Sequence, residues 1–554
     1  ALHSKVFVIV CLSSLPFLFT LNGDFVFDDS EAIVKNKDVS SVSWTDAFHN
    51  DFWGANVKSN LSHKSYRPLT ILSFRCRNLS ALQFKITNLG CHVICWKIMK
   101  KYSFEIRRNI KWWMDVPYLS TLLFAVHPVH VEAVCGIVGR ADLLASMTFS
   151  LAFLSYTNYL ILICGFYFLQ GFCIVYEVIM KLKFKATDTK SIKKLNIGRY
   201  VVYIGIDSMF RLSFIMLSAI ILLYGRWIVM GGTNPEFKPT DNPTAFSGSL
   251  FTKIATYNYI YFLNVLLFIW PKWLCYDWSM GCIKLIENLN DKRILFKLLL
   301  CFFFFRIMML AVSLAVIPFL PATNILYPVG FVIAERILYI SSAGYCLLLV
   351  MGFNKLLYRR SIIACKVIFM FLLLLLVYMA RSFQRSIEWQ NEYKLFTSAL
   401  SVCPLNAKVH YNVAKAADAN HQTTWALAEY QEAIRLFPEY YQAMNNLANI
   451  LKNQKQYVDQ FATYFIRDFP AAWMNLGIVL ANTGQFEESE IAYKTAISYR
   501  NKYPDCYYNL GNLYLELNKT EDAMNNWLKA INHNPKHVLA WTNLMALMDN
   551  TGKI

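Results

Sequence analysis

The stretch GDFVFDDSEAIVKNKDV, residues 23–39, sets Asp24, Asp28, Asp29 and Glu31 directly after an apolar run. A carboxylate there can serve as general base toward a hydroxyl that comes within hydrogen-bond reach. A substrate lying in a membrane with its polar head at the surface would meet these acids, and a sugar carried on a lipid phosphate has that shape. Its phosphate would call for cations. SHKSYRPLT supplies Lys64 and Arg67, and AERILYISSAGY at 334–345 supplies Arg336 beside Glu335. Guanidinium matches phosphate through paired charge-assisted hydrogen bonds. A charge inside an apolar run is costly enough to point to function, although Glu335 and Arg336 could also pair with each other to hold two helices. An ordinary solvated acidic loop is the plainer reading of 24–31, and the adjoining apolar run argues against it.

A second dense polar stretch, HPVHVEAVCGIVGRAD, carries His127, His130, Glu132, Arg140 and Asp142. Metal ligation by His130 and Glu132 is one reading, contact with a donor or acceptor another, and a purely structural turn a third. His127-Pro128 cannot share a helical face with the other two at i, i+4 spacing, which disfavours the metal.

The elements that must position these residues are membrane helices. The 554 residues are 56% hydrophobic and only 16% charged, too apolar for a soluble enzyme of this size. Apolar runs recur near 3–21, 116–126, 143–180, 201–223, 257–275, 296–320, 326–352 and 363–380. With a weaker segment at 79–96, broken by Lys85 and His92, and room for one or two crossings in 143–180, they suggest about ten crossings of a core that needs about 20 residues each. The net charge of +18 would suit nucleic acid, but the basic residues cluster in short connections at 97–111, 181–199 and 355–366. The positive-inside rule makes those connections cytosolic. The loop 22–78, the stretch around 127–142 and everything after 380 then share the opposite side. Sequons at Asn60, Asn78 and Asn518 fall on or beside that side, so Asn60 and Asn518 are candidate glycosylation sites. The first apolar run lacks a small-residue cleavage pattern and reads as a retained anchor. The fourteen cysteines are scattered without CxxC spacing and read as small residues of the core or the lipid face.

From Ile387 the apolar runs stop and a repeat begins. Asn412, Asn446, Asn475, Asn509 and Asn543 recur at intervals of 34, 29, 34 and 34 residues, and 34 is the tetratricopeptide period. Stacked helical hairpins of this kind form a superhelix whose concave face suits an extended peptide or protein partner. The domains are therefore expected at 1–386, helical and membrane-embedded, and 387–554, a solenoid. The 29-residue interval, the initial Ala and the end at Ile554 inside the first helix of a repeat read as an incomplete chain or an imperfect gene model.

GDFVFDDSEAIVKNKDV, HNDFWG, SHKSYRPLT, FAVHPVHVEAV, GIVGRADLLA, DNPTAF, WLCYDWSMGCI and AERILYI, in this order and followed by the repeats, resemble the transmembrane and tetratricopeptide repeat-containing family of cadherin-directed O-mannosyltransferases. The resemblance covers nearly the whole chain. It implies a GT-C-type glycosyltransferase of the endoplasmic reticulum membrane with its repeats in the lumen. The donor would be dolichyl phosphate mannose and the acceptor a Ser or Thr of a cadherin extracellular domain. Asp28-Asp29 matches the acidic motif that such folds place in the first lumenal loop. Asp29 is then expected as the base of a single inverting displacement and Asp28 as the positioning acid, with the two roles exchangeable. Arg67 and Arg336 would hold the lipid phosphate, and no metal or other cofactor is required. One departure stands out: Phe168-Leu169-Gln170-Gly171 replaces the Lys-Glu-Gln-Gly of the family, so an expected acid is absent. That departure favours an alternative, a catalytically inactive membrane adaptor that recruits partners through its repeats. The intact Asp28-Asp29, Arg67 and 127–142 stretch favours the enzyme.

Overall fold

The computed structural model describes residues 2–157 apart from 42, 60–61, 76–79 and 103–114; the pieces 173–174, 183–186 and 200–203; 206–295 apart from 234 and 236; 306–440 apart from 326 and 358–360; 442–444, 446–447 and 450; and 470–550 apart from 483. Asn60 and the stretch 168–171 lie outside these residues. The chain divides into two units, Ala1–Cys403 and Pro404–Ile554.

The first unit is helical: α1 (Leu2–Leu18), α2 (Pro68–Phe74), α3 (Ala81–Tyr102), α4 (Val116–Ala125), α5 (Val131–Cys135), α6 (Arg140–Thr157), α7 (Ile206–Val229), α8 (Leu250–Ile269), α9 (Arg306–Val316), α10 (Leu338–Leu357), α11 (Ser361–Glu388) and α12 (Glu392–Leu400). Within it α3 packs on α6, α10 on α4 and α9, and α11 on α1 and α10. A two-stranded antiparallel ribbon pairs β1 (Lys183–Ala186), inside the expected 181–199 connection, with β2 (Tyr200–Tyr203), which takes the start of the apolar run expected at 201–223.

Among the described residues three helices are long and apolar enough to cross a membrane, Leu212–Val229, Glu335–Leu357 and Ala364–Glu388. Val116–Ala125 and Pro128–Cys135, bent by 51°, make a fourth if they act as one span. The ten crossings expected from the sequence are not reached there, for local reasons. Pro318 and Pro321 turn the end of the 306–323 segment into 3-10 helix, because proline lacks the amide an α-helix needs. Lys5–Leu18 is too short, and parts of 143–180 and 296–320 lie outside the described residues.

The first loop is a small packed layer rather than a solvated excursion. Ala32, Ile33, Phe52, Ile71, Phe74 and Phe84 form a cluster with Ile137 and Val138, so burial of apolar area fixes 24–75 against the start of α6. The composition change at 387 marks the point where α11 leaves its apolar stretch. The unit boundary lies later, at 403/404, because the intervening residues are bonded into the first unit. Gln390 O accepts from Asp24 N at 2.9 Å, and Glu392 Oε1 accepts from Phe27 N at 3.3 Å. Cys282 and Cys403 form a disulfide, which corrects the reading of all the cysteines as unpaired.

The second unit has helical hairpins α13 (Ala407–Ala419) with α14 (Thr423–Leu436), α15 (Pro470–Asn482) with α16 (Phe486–Tyr499) and α17 (Pro504–Glu516) with α18 (Thr520–His533), then α19 (Val538–Asn550). The repeating asparagine has a visible purpose, since it reaches back into the preceding repeat. Asn446 Nδ2 donates to Tyr430 Oη at 3.0 Å, Asn475 Nδ2 meets Met444 Sδ at 3.1 Å, and Asn543 Nδ2 donates to Asn512 Oδ1 at 3.0 Å.

Candidate active site

The adjacent acids of the first loop are held differently. Asp29 is 1% exposed, and both of its carboxylate oxygens are occupied. Oδ1 accepts from Val138 N at 2.9 Å and Oδ2 from Val26 N at 3.3 Å. Asp29 therefore ties the first loop to the turn before α6. Burial pushes its pKa up to about 6, against the lowering effect of the Val138 and Val26 amides. Asp28 keeps 26% of its side chain exposed and faces Arg336, Oδ2 to Nη1 at 3.5 Å.

Arg336 is the hub of the charged centre. Besides Asp28, its Nη1 stands 3.6 Å from Glu132 Oε1, and its backbone amide donates to Glu132 Oε2 at 3.0 Å. Arg336 does not pair with Glu335, the simpler possibility open from sequence. Glu335 is wholly buried and pairs with Arg385 at 3.3 Å, while Arg385 also binds Glu388 at 2.6 Å. This second ion-pair group went unnoticed in the sequence. Its signal was Arg385 and Glu388 at i, i+3 where the last apolar run ends.

Arg67 stands with its guanidinium 5.1 Å over the Phe52 ring and keeps a solvent-exposed face. The surrounding protein lowers its pKa from the ordinary arginine value, and the charges acting on it are, in order, Asp142, Arg336, Arg226 and Asp28. Arg67, Arg336, Asp28, Glu132 and Asp142 thus share one centre. Lys64 does not join it: its Nζ donates to Val57 O at 2.8 Å.

The stretch 127–142 divides by role. Glu132 and Asp142 belong to the centre, whereas His127, His130 and Arg140 are buried and occupied by protein partners. His127 Nε2 donates to Phe268 O at 3.1 Å, and His130 Nε2 hydrogen-bonds Ser342 Oγ at 2.7 Å. Arg140, 2% exposed, donates to Asn88 Oδ1 at 2.8 Å and to the carbonyls of Ser73 and Phe84 at 2.9 Å each. Its guanidinium also lies 5.0 Å from the Phe74 and Phe84 rings. Direct contact of His127 or Arg140 with a donor or acceptor, as their sequence setting suggested, would require them to abandon those partners, and His130 is wholly buried. Among the described residues no group of three or more His, Cys, Asp or Glu is arranged to hold a metal ion. Asn518 is exposed in the turn between α17 and α18, with φ 58°.

A helical membrane protein with an acid and arginine centre under its first loop, followed by a tetratricopeptide solenoid, is the class that fold and site define. The family model described as protein O-mannosyl-transferase TMTC, DUF1736, matches residues 231–305, and tetratricopeptide models match 411–465, 477–518 and 504–537. Protein O-mannosyl-transferase TMTC4 of Mus musculus is 41% identical over 480 residues, 75% of this chain and 64% of that protein. Protein O-mannosyl-transferase Tmtc3 of Drosophila melanogaster is 32% identical over 612 residues, 93% of this chain and 66% of that protein. A solved structure, the crystal structure of YrrB, a TPR protein with an unusual peptide-binding site, is 21% identical, covering 29% of this chain and 82% of that one, with a TM-score of 0.19. The chain belongs to the transmembrane and tetratricopeptide repeat-containing (TMTC) family, and it spans 64% of the length of the Mus musculus relative.

Proposed function

We propose that the chain is a protein O-mannosyltransferase of the endoplasmic reticulum membrane. It transfers mannose from dolichyl phosphate mannose to Ser or Thr of lumenal proteins such as cadherin extracellular domains. The curated relatives carry the name of that activity, and the observation on which the chemistry rests is the Asp28–Arg336–Glu132 group with Arg67 beside it. Asp28 is the base. Burial raises the Asp29 pKa, but geometry comes before pKa, and with both oxygens bonded to backbone amides Asp29 cannot reach an acceptor.

In the reaction the acceptor hydroxyl oxygen bonds to the mannose anomeric carbon as the bond from that carbon to the phosphate oxygen breaks on the opposite face. The hydroxyl proton passes to Asp28, and dolichyl phosphate departs carrying the electron pair. Arg336 and Arg67 meet its charge, the preorganised electrostatic stabilisation a phosphate leaving group needs. When Arg336 turns to the phosphate, the Asp28 carboxylate loses its ion-pair partner and becomes free for the acceptor. The disulfide supports a lumenal side for residues 282 and 403, since disulfides persist in oxidising compartments. The first loop is bonded to residues 390 and 392 and so shares that side. The solenoid groove would take acceptor or partner proteins.

The test is mannose transfer from radiolabelled dolichyl phosphate mannose to a cadherin domain by membranes containing the chain. Labelled acceptor above the level of membranes without the chain supports the proposal. None, with the chain folded and inserted, refutes it.

A further inference from the structure

The segment after α8 folds back along that helix and encloses a cavity of about 330 Å³ against it. Ile286 N donates to the buried Thr256 Oγ1 at 3.0 Å, and the Arg293 guanidinium lies 5.5 Å from the Tyr259 ring. Residues 271–293 therefore return past the middle of α8, and the Cys282–Cys403 bridge pins their far side. Tyr259 and Leu263 of α8, with Trp273, Trp278 and Val402, supply the aromatic and apolar walls. The same segment touches the candidate base. The Tyr276 ring lies 4.8 Å from that of Phe27, the residue before Asp28, and 5.1 Å from that of Phe396. Two chain steps, one ring contact and one further chain step separate the Trp278 wall from Asp28.

The charges at the cavity narrow what could occupy it. Arg293 is spent within the protein, since its Nη2 pairs with Asp291 Oδ2 at 2.6 Å and its Nη1 donates to Lys284 O at 2.7 Å. Lys284, which also lines the cavity, is exposed, and among the described residues no carboxylate stands within ion-pair distance of it. One free positive charge thus borders an aromatic wall whose Trp273 is 42% exposed. An apolar side chain with a carboxylate next to it complements that surface in shape and charge. Trp278 is 6% exposed and its Nε1 has no hydrogen-bond partner among the described residues. A buried indole N–H usually finds one, and a peptide brings a carbonyl at every residue. A saccharide would call for several polar side chains in the wall, and a phosphate for more than one unspent cation; the lining offers neither.

Resting on the reading given under Proposed function, we propose that this cavity docks the protein acceptor. A large apolar side chain of an extended acceptor segment enters between α8 and the returning segment, and Lys284 meets a carboxylate beside it. A Ser or Thr a few residues away, at about 3.3 Å of extended chain each, is then held near Asp28. The cavity selects the acceptor and takes no part in the chemistry.

The full chain in lipid nanodiscs is measured for binding of a cadherin extracellular domain without donor, and for mannose transfer to it, in parental form and as K284E and W273A. Each substitution weakens domain binding about 10-fold. Each raises the KM for the domain by a similar factor, with kcat and the KM for dolichyl phosphate mannose unchanged. A capped peptide with phenylalanine beside glutamate displaces the domain from the parent about 10-fold better than one with phenylalanine beside lysine, and K284E loses that preference. Parental affinity in both variants overturns the docking site and, where the parent transfers mannose, leaves the proposed function standing. Domain binding that both substitutions weaken, without transfer by the parent, overturns the proposed function and keeps the docking site. Absence of binding and of transfer by the parent overturns both. Mannobiose displacing the domain better than either peptide makes the cavity a sugar site and overturns the peptide occupant. K284E, a change at an exposed position, carries the test alone if W273A does not fold, judged by its melting curve.

Discussion

Asp28 and Asp29 are neighbours in sequence with opposite surroundings, and the difference has a pH signature. The folded-state pKa of Asp29, about 6, lies above its unfolded value of 3.8. The folded chain therefore holds this proton more tightly, and the contribution of Asp29 to stability falls as pH rises from about 4 to 6. About 2 units at 1.4 kcal/mol each make that cost about 3 kcal/mol above pH 6. Asp29→Asn removes this dependence. Hydrogen exchange of the Val138 amide, corrected for intrinsic exchange and followed from pH 4 to 6.5, should show protection in the parental chain falling as pH rises relative to Asp29→Asn; equal slopes in both proteins would contradict it. Arg140→Ala strands the Asn88 side chain and the Ser73 and Phe84 carbonyls in the interior. We expect a loss of several kcal/mol, and Arg140→Lys does not restore it, because an ammonium cannot reproduce the guanidinium fork. Melting temperatures check both. The acid pair and Arg336 were legible from residue type and from charge beside apolar runs. Which acid is buried was not, because it depends on the amide of Val138, 109 residues further along.

The elements divide along the same line. The repeats were readable from a 34-residue period, since each hairpin buries local apolar positions and Asn446, Asn475 and Asn543 each reach back into the preceding repeat, though to different partners. The Cys282–Cys403 disulfide, with partners 121 positions apart, left no trace in spacing, because it joins a loop to a helix end that meet only in the folded unit. In the chain-entropy picture a closed loop of this length is worth up to about 5 kcal/mol. Replacing both cysteines by serine should lower the melting temperature and abolish any mobility difference between reduced and non-reduced gels; an unchanged mobility difference would place the bridge elsewhere. In the second unit a Cβ on Gly511 would stand 2.6 Å from Trp527 Cδ1 and Nε1. Gly511→Val should therefore displace the buried Trp527 ring and cost about 1–3 kcal/mol, as overpacking does. Limited proteolysis of the full chain should then show earlier cleavage after residue 500, and unchanged cleavage would contradict the close approach.

For the whole molecule, sidedness connects structure to activity. The first loop, the turn before α6 and the residues around 390 are bonded together on one side of the membrane unit, which suits a donor head group and a protein acceptor meeting there. Exposed Asn518 should accept an N-glycan in microsomes, read as an endoglycosidase-sensitive shift that N518Q abolishes. No shift in a correctly inserted chain would set the repeats on the other side. The most direct measurement is mannose transfer by the parental chain, Asp28→Asn and Asp29→Asn at matched amounts of folded protein. A general base contributes about 100-fold or more, so transfer should fall by that factor in Asp28→Asn and by far less in Asp29→Asn. Parental transfer by Asp28→Asn would contradict its role as the base.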